Sequence, residues 1–169
     1  MTHKRLFTLL IALFPILATS CSDDDDEDLI GNWVRVSDFD GLARSEASCF
    51  SIGNKGYLVC GYDGSKSDAR LSDLWEYDMT TDAWTQKASF PGTARNSATA
   101  FAIDGKGYMG TGYDGLNYLS DFWEYDPTSN TWSQKADFPG SARYDAVAFG
   151  VSGKGYIGAG YNGNFLKDF

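Results

Sequence analysis

Residues 73–115 read "DLWEYDMTTDAWTQKASFPGTARNSATAFAIDGKGYMGTGYDG", and residues 121–163 read "DFWEYDPTSNTWSQKADFPGSARYDAVAFGVSGKGYIGAGYNG". The second stretch follows the first at an interval of 48. Trp75 returns as Trp123, Tyr77 as Tyr125, Trp84 as Trp132, Pro91 as Pro139, Arg95 as Arg143 and Tyr108 as Tyr156. Between 74–115 and 122–163, 25 of 42 positions are identical, far more than convergent strand chemistry produces, so the two stretches are a duplication. A more divergent copy lies upstream at an offset of 51, where Trp33 matches Trp84, Phe39 matches Phe90, Arg44 matches Arg95 and Tyr57 matches Tyr108. Its three extra residues fall between Gly64 and Asp73, in a loop, where added length raises the closure cost only slowly.

Each unit reads as four short strands. "ATAFAI" (98–103) alternates small and larger side chains with a period of two. "DGKG" (104–107) is a turn, because its glycines tolerate the positive φ of tight hairpins. "YMGTGY" (108–113) returns as a second strand, "DFWEYD" (121–126) is a third, "PTSN" a turn and "TWSQKA" (131–136) a fourth. "DFPGSAR" (137–143) then leads into the next unit. The 19 glycines against 4 prolines and the 15% aromatic content fit many short strands joined by tight turns.

Side-chain size varies across the unit. Strands one and two are rich in Ala and Gly, while strands three and four carry Trp and Tyr. Slim strands near an axis and bulky ones at a rim make a wedge, and wedges stacked round an axis make a β-propeller. The period near fifty, the Gly-rich second strand, and the pairs Tyr77 with Trp84 and Tyr125 with Trp132 resemble kelch repeats. The resemblance covers residues 31–169 and implies an all-β fold, an arc of about three four-stranded antiparallel blades in units of about 43–90, 91–138 and 139–169. One departure stands out: kelch repeats usually close the second strand with Gly-Gly, and this chain has Cys60-Gly61, Thr111-Gly112 and Ala159-Gly160.

One strand is expected around Trp33, four in each of two full units, and two in the last, where "LKDF" (166–169) stops just short of a Trp-Glu-Tyr-Asp. Three blades fall below the roughly 4–8 that propellers use. The expectation is therefore a truncated ring, either a fragment or one part of an assembly closed by another chain. Open blade edges then favour self-association.

The first thirty residues read as an address. "MTHKR", an apolar run from Leu6 to Ala18 and small residues before Cys21 have the layout of a secretory signal, with an apolar run too short for a comfortable membrane span. "LATSC" resembles the bacterial lipobox, which implies a signal peptide over 1–20 and a lipid anchor on Cys21. "SDDDDED" (22–28) cannot pack and is a solvated tether spanning 21–30 with the lipidated Cys. A Ser and acidic run directly after such a Cys also resembles the export signal of lipoproteins on the outer face of the outer membrane, which sets the expected location.

Composition limits the chemistry. Net charge is −9, and from Leu29 onward 12 basic and 17 acidic residues remain, so a nucleic-acid partner is not expected. The resemblance extends to galactose oxidase, a copper enzyme whose site needs histidine. His3 is the sole histidine in the chain and lies in the leader, so copper chemistry, zinc catalysis and His-assisted nucleophiles are not expected, and no cofactor or metal is implied. Glu76, Glu124, Asp78 and Asp126 recur in each "WEYD" and read as structural, the aspartates capping turns. Arg44, Arg95 and Arg143 close "GLAR", "GTAR" and "GSAR" at the start of the first strand. They are either ligand-face residues or pins that bond carbonyls of the neighbouring blade. Loop residues that differ between units, Arg70, Asn117 and Tyr118, are specificity candidates.

Two functions fit: a surface-anchored module binding an unidentified protein or carbohydrate, or a metal-free sugar-processing enzyme similar to the sialic-acid mutarotases. Binding is favoured, since no catalytic constellation is legible. A final expectation concerns Cys49 and Cys60. If the "GNKG" turn centres between Asn54 and Lys55, Cys49 faces Cys60 within disulfide range, and an exported protein meets an oxidising compartment.

Overall fold

The computed structural model describes residues 34–66 and 69–169. The chain divides into two units, residues 1–35 and 36–169, and the architecture below belongs to the second. The leader, Cys21, the acidic tether and Trp33 lie outside the described residues, and residues 34–36, the described part of the strand expected around Trp33, are not in a strand.

The described strands are β1 (Ser48–Ile52), β2 (Lys55–Val59), β3 (Leu74–Asp78), β4 (Ala83–Lys87), β5 (Thr99–Ile103), β6 (Lys106–Gly110), β7 (Phe122–Asp126), β8 (Thr131–Lys135), β9 (Val147–Val151) and β10 (Lys154–Gly158). They form two four-stranded antiparallel sheets, β1-β2-β3-β4 and β5-β6-β7-β8, and a hairpin, β9–β10. Each sheet is one blade and the hairpin is the inner half of a third. β1 packs beside β5 and β5 beside β9, so the slim first strands adjoin along one line and β4 and β8 lie outermost, as the size gradient predicts. Among the described residues the sheets do not close into a ring. The result is an incomplete kelch-type arc.

The hairpin register corrects one expectation. Ile52 pairs with Lys55, Phe50 with Tyr57 and Cys49 with Leu58, so the turn is Gly53-Asn54 rather than Asn54-Lys55. Gly53 takes φ 60° and Asn54 does not share it, the pattern of a two-residue turn whose first central residue is glycine. Cys49 is therefore exposed opposite Leu58, Cys60 is buried one residue beyond β2, and both thiols are free. In the second blade Asp104 and Gly105, at φ 49° and 76°, form the two-residue turn in which both residues are left-handed.

β2, β6 and β10 end sooner than the sequence pattern suggests because the chain turns at the residue that replaces the first kelch glycine. Cys60, Thr111 and Ala159 take φ 61°, 60° and 55°, and the glycines after them take 108°, 102° and 94°. A second left-handed set, Glu46, Ser97 and Asp145 at φ 55°, 52° and 53°, stands just before the inner strands. Non-glycine residues adopt this region at a cost of roughly 1–2 kcal/mol each, so the surroundings must fix them.

They do so at the joints between blades. Gly61 N–H donates to Arg95 O (2.9 Å) and Gly112 N–H to Arg143 O (2.7 Å). In return Arg95 and Arg143 N–H donate to Leu71 O and Leu119 O, and Phe90 and Phe138 N–H to Ser72 O and Ser120 O. Ser97 N–H donates to Glu46 O (2.9 Å) and Asp145 N–H to Ser97 O (3.0 Å). Apolar contact completes each joint. The ring of Phe50 lies against Gly107 and that of Phe101 against Gly155, so closely that an added Cβ would collide with them. The core, built from Phe50, Tyr57, Val59, Leu74, Phe90, Met109 and Tyr125, fills the space between the first two blades.

Candidate functional site

Two sets of loops open on one face of the arc: those leaving β2, β6 and β10, and the links that lead into β1, β5 and β9. The short hairpin turns lie on the opposite face. Both kinds of candidate residue, the repeated arginines and the variable loop side chains, sit on the first of these faces.

The arginines are pins, not ligand groups. Arg95 is fully buried, and four of its five N–H donors are used within the fold. Nε donates to Thr93 O (2.9 Å), Nη1 to Thr111 O (2.9 Å) and Asp121 Oδ1 (2.6 Å), and Nη2 to Asp121 Oδ2 (2.7 Å). Its guanidinium also rests 4.8 Å from the centre of the Phe90 ring. Arg44 repeats this with Leu42 O, Cys60 O, Asp73 and Phe39, and Arg143 with Ser141 O, Ala159 O, Asp168 and Phe138. The bidentate fork is the geometry guanidinium offers a carboxylate. Each aspartate partner, and the carbonyl accepted just after the second strand, belongs to the arginine's own unit, so the side chains hold the blade's own left-handed turn rather than the neighbouring blade. As ligand-face candidates Arg44, Arg95 and Arg143 are corrected: burial removes them from any surface.

The repeated carboxylates are also spent. Glu76 accepts from Lys55 Nζ (2.6 Å) and Tyr57 OH (2.7 Å), and Glu124 from Lys106 Nζ (3.0 Å), Tyr108 OH (2.8 Å) and Lys135 Nζ (3.1 Å). Burial opposes ionisation of Glu124, but these donors outweigh it and hold its carboxyl at about 2. Such a group stays an anion and supplies no general acid. Asp78 and Asp126 cap the outer hairpins by accepting Thr80 N–H and Thr128 N–H, both at 2.8 Å. Burial, offset in part by Arg95, pushes the Cys60 thiol up to about 12, which leaves it inert as a nucleophile.

The variable loop residues behave differently. Arg70 donates Nε–H to Asn96 Oδ1 (2.6 Å), and its guanidinium lies between two rings, 5.4 Å from Tyr62 and 5.0 Å from Tyr113. Tyr118 occupies the equivalent place one unit on, with ring centres 5.8 Å from Tyr113, 5.4 Å from Tyr144 and 6.5 Å from Tyr161. Phe165 holds it in the third unit, 5.2 Å from Tyr161. A ladder of planar groups thus crosses three units, each arm residue resting on its own unit's tyrosine and, in the first two, reaching the next. Its outer flank is exposed at Leu116 (89%) and Phe165 (91%). Asn117 is exposed but secures its loop, through N–H and Nδ2 bonds to Asp114.

Of the six ligand-face candidates, the structure brings Arg70 and Tyr118 into this ladder. Sequence reasoning passed over Tyr62, Tyr113, Tyr144, Tyr161 and Phe165. The thrice-repeated Gly-Tyr after the second strand (61–62, 112–113, 160–161) was the available signal. A family model, the KLHDC2/KLHL20/DRC7 Kelch-repeats domain, matches residues 33–169. No curated protein matches the chain in a sequence search.

Proposed function

Because the chain belongs to the kelch-repeat family, whose domains are protein-binding β-propeller modules, we propose that it binds a partner protein through the aromatic and arginine ladder of its loop face. The observation that carries this reading is the contrast between the two arginine classes. The repeated arginine side chains are buried and held by bidentate carboxylates and carbonyls, whereas the units diverge where Arg70, Tyr118 and Phe165 meet the surface. Tyr and Arg side chains held rigid by their neighbours lose little entropy on binding and are enriched in binding hot spots. The proposal includes a lipid anchor on Cys21, placing the module on the outer face of the outer membrane. The lipobox-like "LATSC" and the acidic run after it support that part.

Two photo-reactive side chains test the binding reading in the producing cell, one at Leu116 on the ladder flank and one at Met79, exposed at the opposite face. A discrete protein adduct is expected from position 116 and not from 79, and Tyr118→Ala should abolish it. Adducts of equal yield at both positions, or none at 116, would refute the loop-face reading. The sugar-processing alternative gains nothing from the geometry, since the arginines and glutamates it would use are committed to the blades.

A further inference from the structure

The tyrosines divide by what their hydroxyls do. Within the blades, Tyr57 OH donates to Glu76 (2.7 Å), Tyr77 OH to Asp82 (2.6 Å), Tyr108 OH to Glu124 (2.8 Å) and Tyr125 OH to Asn130 (2.8 Å). On the loop face, Tyr113 OH donates to Gly115 O (2.7 Å), which ties it to its own loop. Tyr118 and Tyr144 differ. Neither hydroxyl bonds to another described residue, and Tyr118 is 36% exposed and Tyr144 half-buried, so water is the base available to each phenol.

The same two rings are the best-placed pair of a compact cluster. Their centres are 5.4 Å apart and their planes are inclined by 36°. Tyr113 stands 5.8 Å from each of them, at 45° to Tyr118 and 38° to Tyr144. Tyr161 meets Tyr144 and Tyr118 edge to face, at 68° and 80°. Two phenol rings join through the carbons next to their oxygens, and those carbons must meet through their π faces. An edge-to-face pair presents a C–H edge instead. Tyr118 with Tyr144, the closest and least inclined pair, meets the requirement best. Tyr57 with Tyr125, at 5.8 Å and 60°, is buried beyond the reach of a dissolved oxidant.

We infer that Tyr118 and Tyr144 are a modification site, at which a one-electron oxidant joins the two rings as dityrosine. Two equivalents of oxidant are each reduced by one electron. Each phenol gives one electron to the oxidant and its proton to water. The two phenoxyl radicals pair their electrons in one new bond between the ring carbons next to the oxygens. Those carbons then lose their hydrogens as protons and the oxygens regain protons from water, which restores both phenols at a net loss of two hydrogens. Because the fold already holds the rings together, coupling within the chain outruns coupling between chains. The bond ties the loop between β6 and β7 to the link between β8 and β9, and so staples the second unit to the third. It needs the cluster and an oxidant but no partner protein, so it stands or falls independently of the binding reading.

Brief illumination of the dilute full chain with ruthenium(II) tris-bipyridyl and persulfate supplies such an oxidant and tests the inference. Dityrosine fluorescence should appear at the mass of a single chain on a denaturing gel. Trypsin should then release residues 107–135 joined to residues 144–154, lighter by two hydrogens than the separate peptides together, with fragmentation placing the bond between Tyr118 and Tyr144. Tyr118→Phe keeps the ring and removes a hydroxyl that bonds to no other described residue, so the fold should persist and the joined peptides should disappear. Coupling through Tyr113 would leave them in place. Oxidation in urea, where the cluster is dispersed, should also lose them. Dityrosine that is absent or found only between chains, joined peptides that survive Tyr118→Phe, or an equal yield in urea would each overturn the inference.

Discussion

Replacing Arg95 with Met keeps an unbranched apolar stem, shorter by the guanidinium, and removes every polar contact of the side chain. The change strands the Asp121 carboxylate and the Thr111 carbonyl in a site that admits little water, since the Asp121 side chain is 23% exposed. Breaking a buried ion pair from one side costs about 3–5 kcal/mol. The residual exposure of Asp121 and its retained bond from Trp123 Nε1 (2.7 Å) place the cost near the lower end, about 3 kcal/mol. For a domain of this size that lowers the melting temperature by roughly 10 °C. Arg143→Met should cost less, because its partner Asp168 is 54% exposed and water can take over. Arg44→Met should resemble Arg95→Met, its partner Asp73 being 19% exposed. Urea unfolding followed by tryptophan fluorescence gives all three values. Acid adds a second readout. Burial opposes ionisation of Asp121, but Arg95 and Trp123 outweigh it and hold the carboxyl below its ordinary range. The unfolded chain therefore binds more protons, so this stabilisation is complete above the unfolded carboxyl's value and disappears as pH falls through the lower folded one. Wild-type stability should fall more steeply in that window than that of Arg95→Met. A loss below about 1 kcal/mol for Arg95→Met, or an equal loss for Arg143→Met, would refute the pin as the source of stability.

Four further outcomes follow from the same geometry. Glu124, held at about 2 by Lys106, Tyr108 and Lys135, should show no carboxyl inflection near pH 4.5 in a carbon-detected NMR titration. With Cys21→Ser in place, native protein should expose one reactive thiol, Cys49, and release the second, Cys60, only on denaturation. Two reactive thiols in the native state would contradict the burial of Cys60. Cys21→Ser should move the protein from the membrane fraction to the soluble one, with loss of acyl mass from the N-terminal peptide. Ala substitution at Gly107, where the Phe50 ring blocks a side chain, should destabilise the chain by at least about 1–3 kcal/mol through overpacking, and the same change at Gly56 should not.

The blade was legible because the residues that define it are chemically distinctive: Trp84 and Trp132 on the outer strand, Glu76 and Glu124 beside lysines, glycines where phenylalanine rings press. The register of the first hairpin was not, because it depends on which residue of "GNKG" takes the positive φ, and Gly53 and Asn54 both can. The arginines were legible as important but not as buried. Their partners Asp73, Asp121 and Asp168 lie 25 or more residues away across loops of unequal length, so nothing local ties them together. The ladder escaped for a related reason. Tyr62, Tyr113 and Tyr161 follow two consecutive left-handed residues, which break the alternation that assigns strand residues to faces.

The paired turns at 60–61, 111–112 and 159–160 are unequal in what they permit. The first residue of each pair sits near φ 60°, within the region that L-residues can occupy, and Arg44, Arg95 and Arg143 grip only its carbonyl oxygen. Evolution is therefore free to drift there, and Cys, Thr and Ala have all been accepted. The second residue, at φ 94–108° with a neighbouring backbone oxygen 2.8–2.9 Å from where a Cβ would stand, accepts glycine alone. A search pattern that demands both glycines would miss relatives of this chain, whereas one that demands the second glycine, the distant arginine and its aspartate would find them.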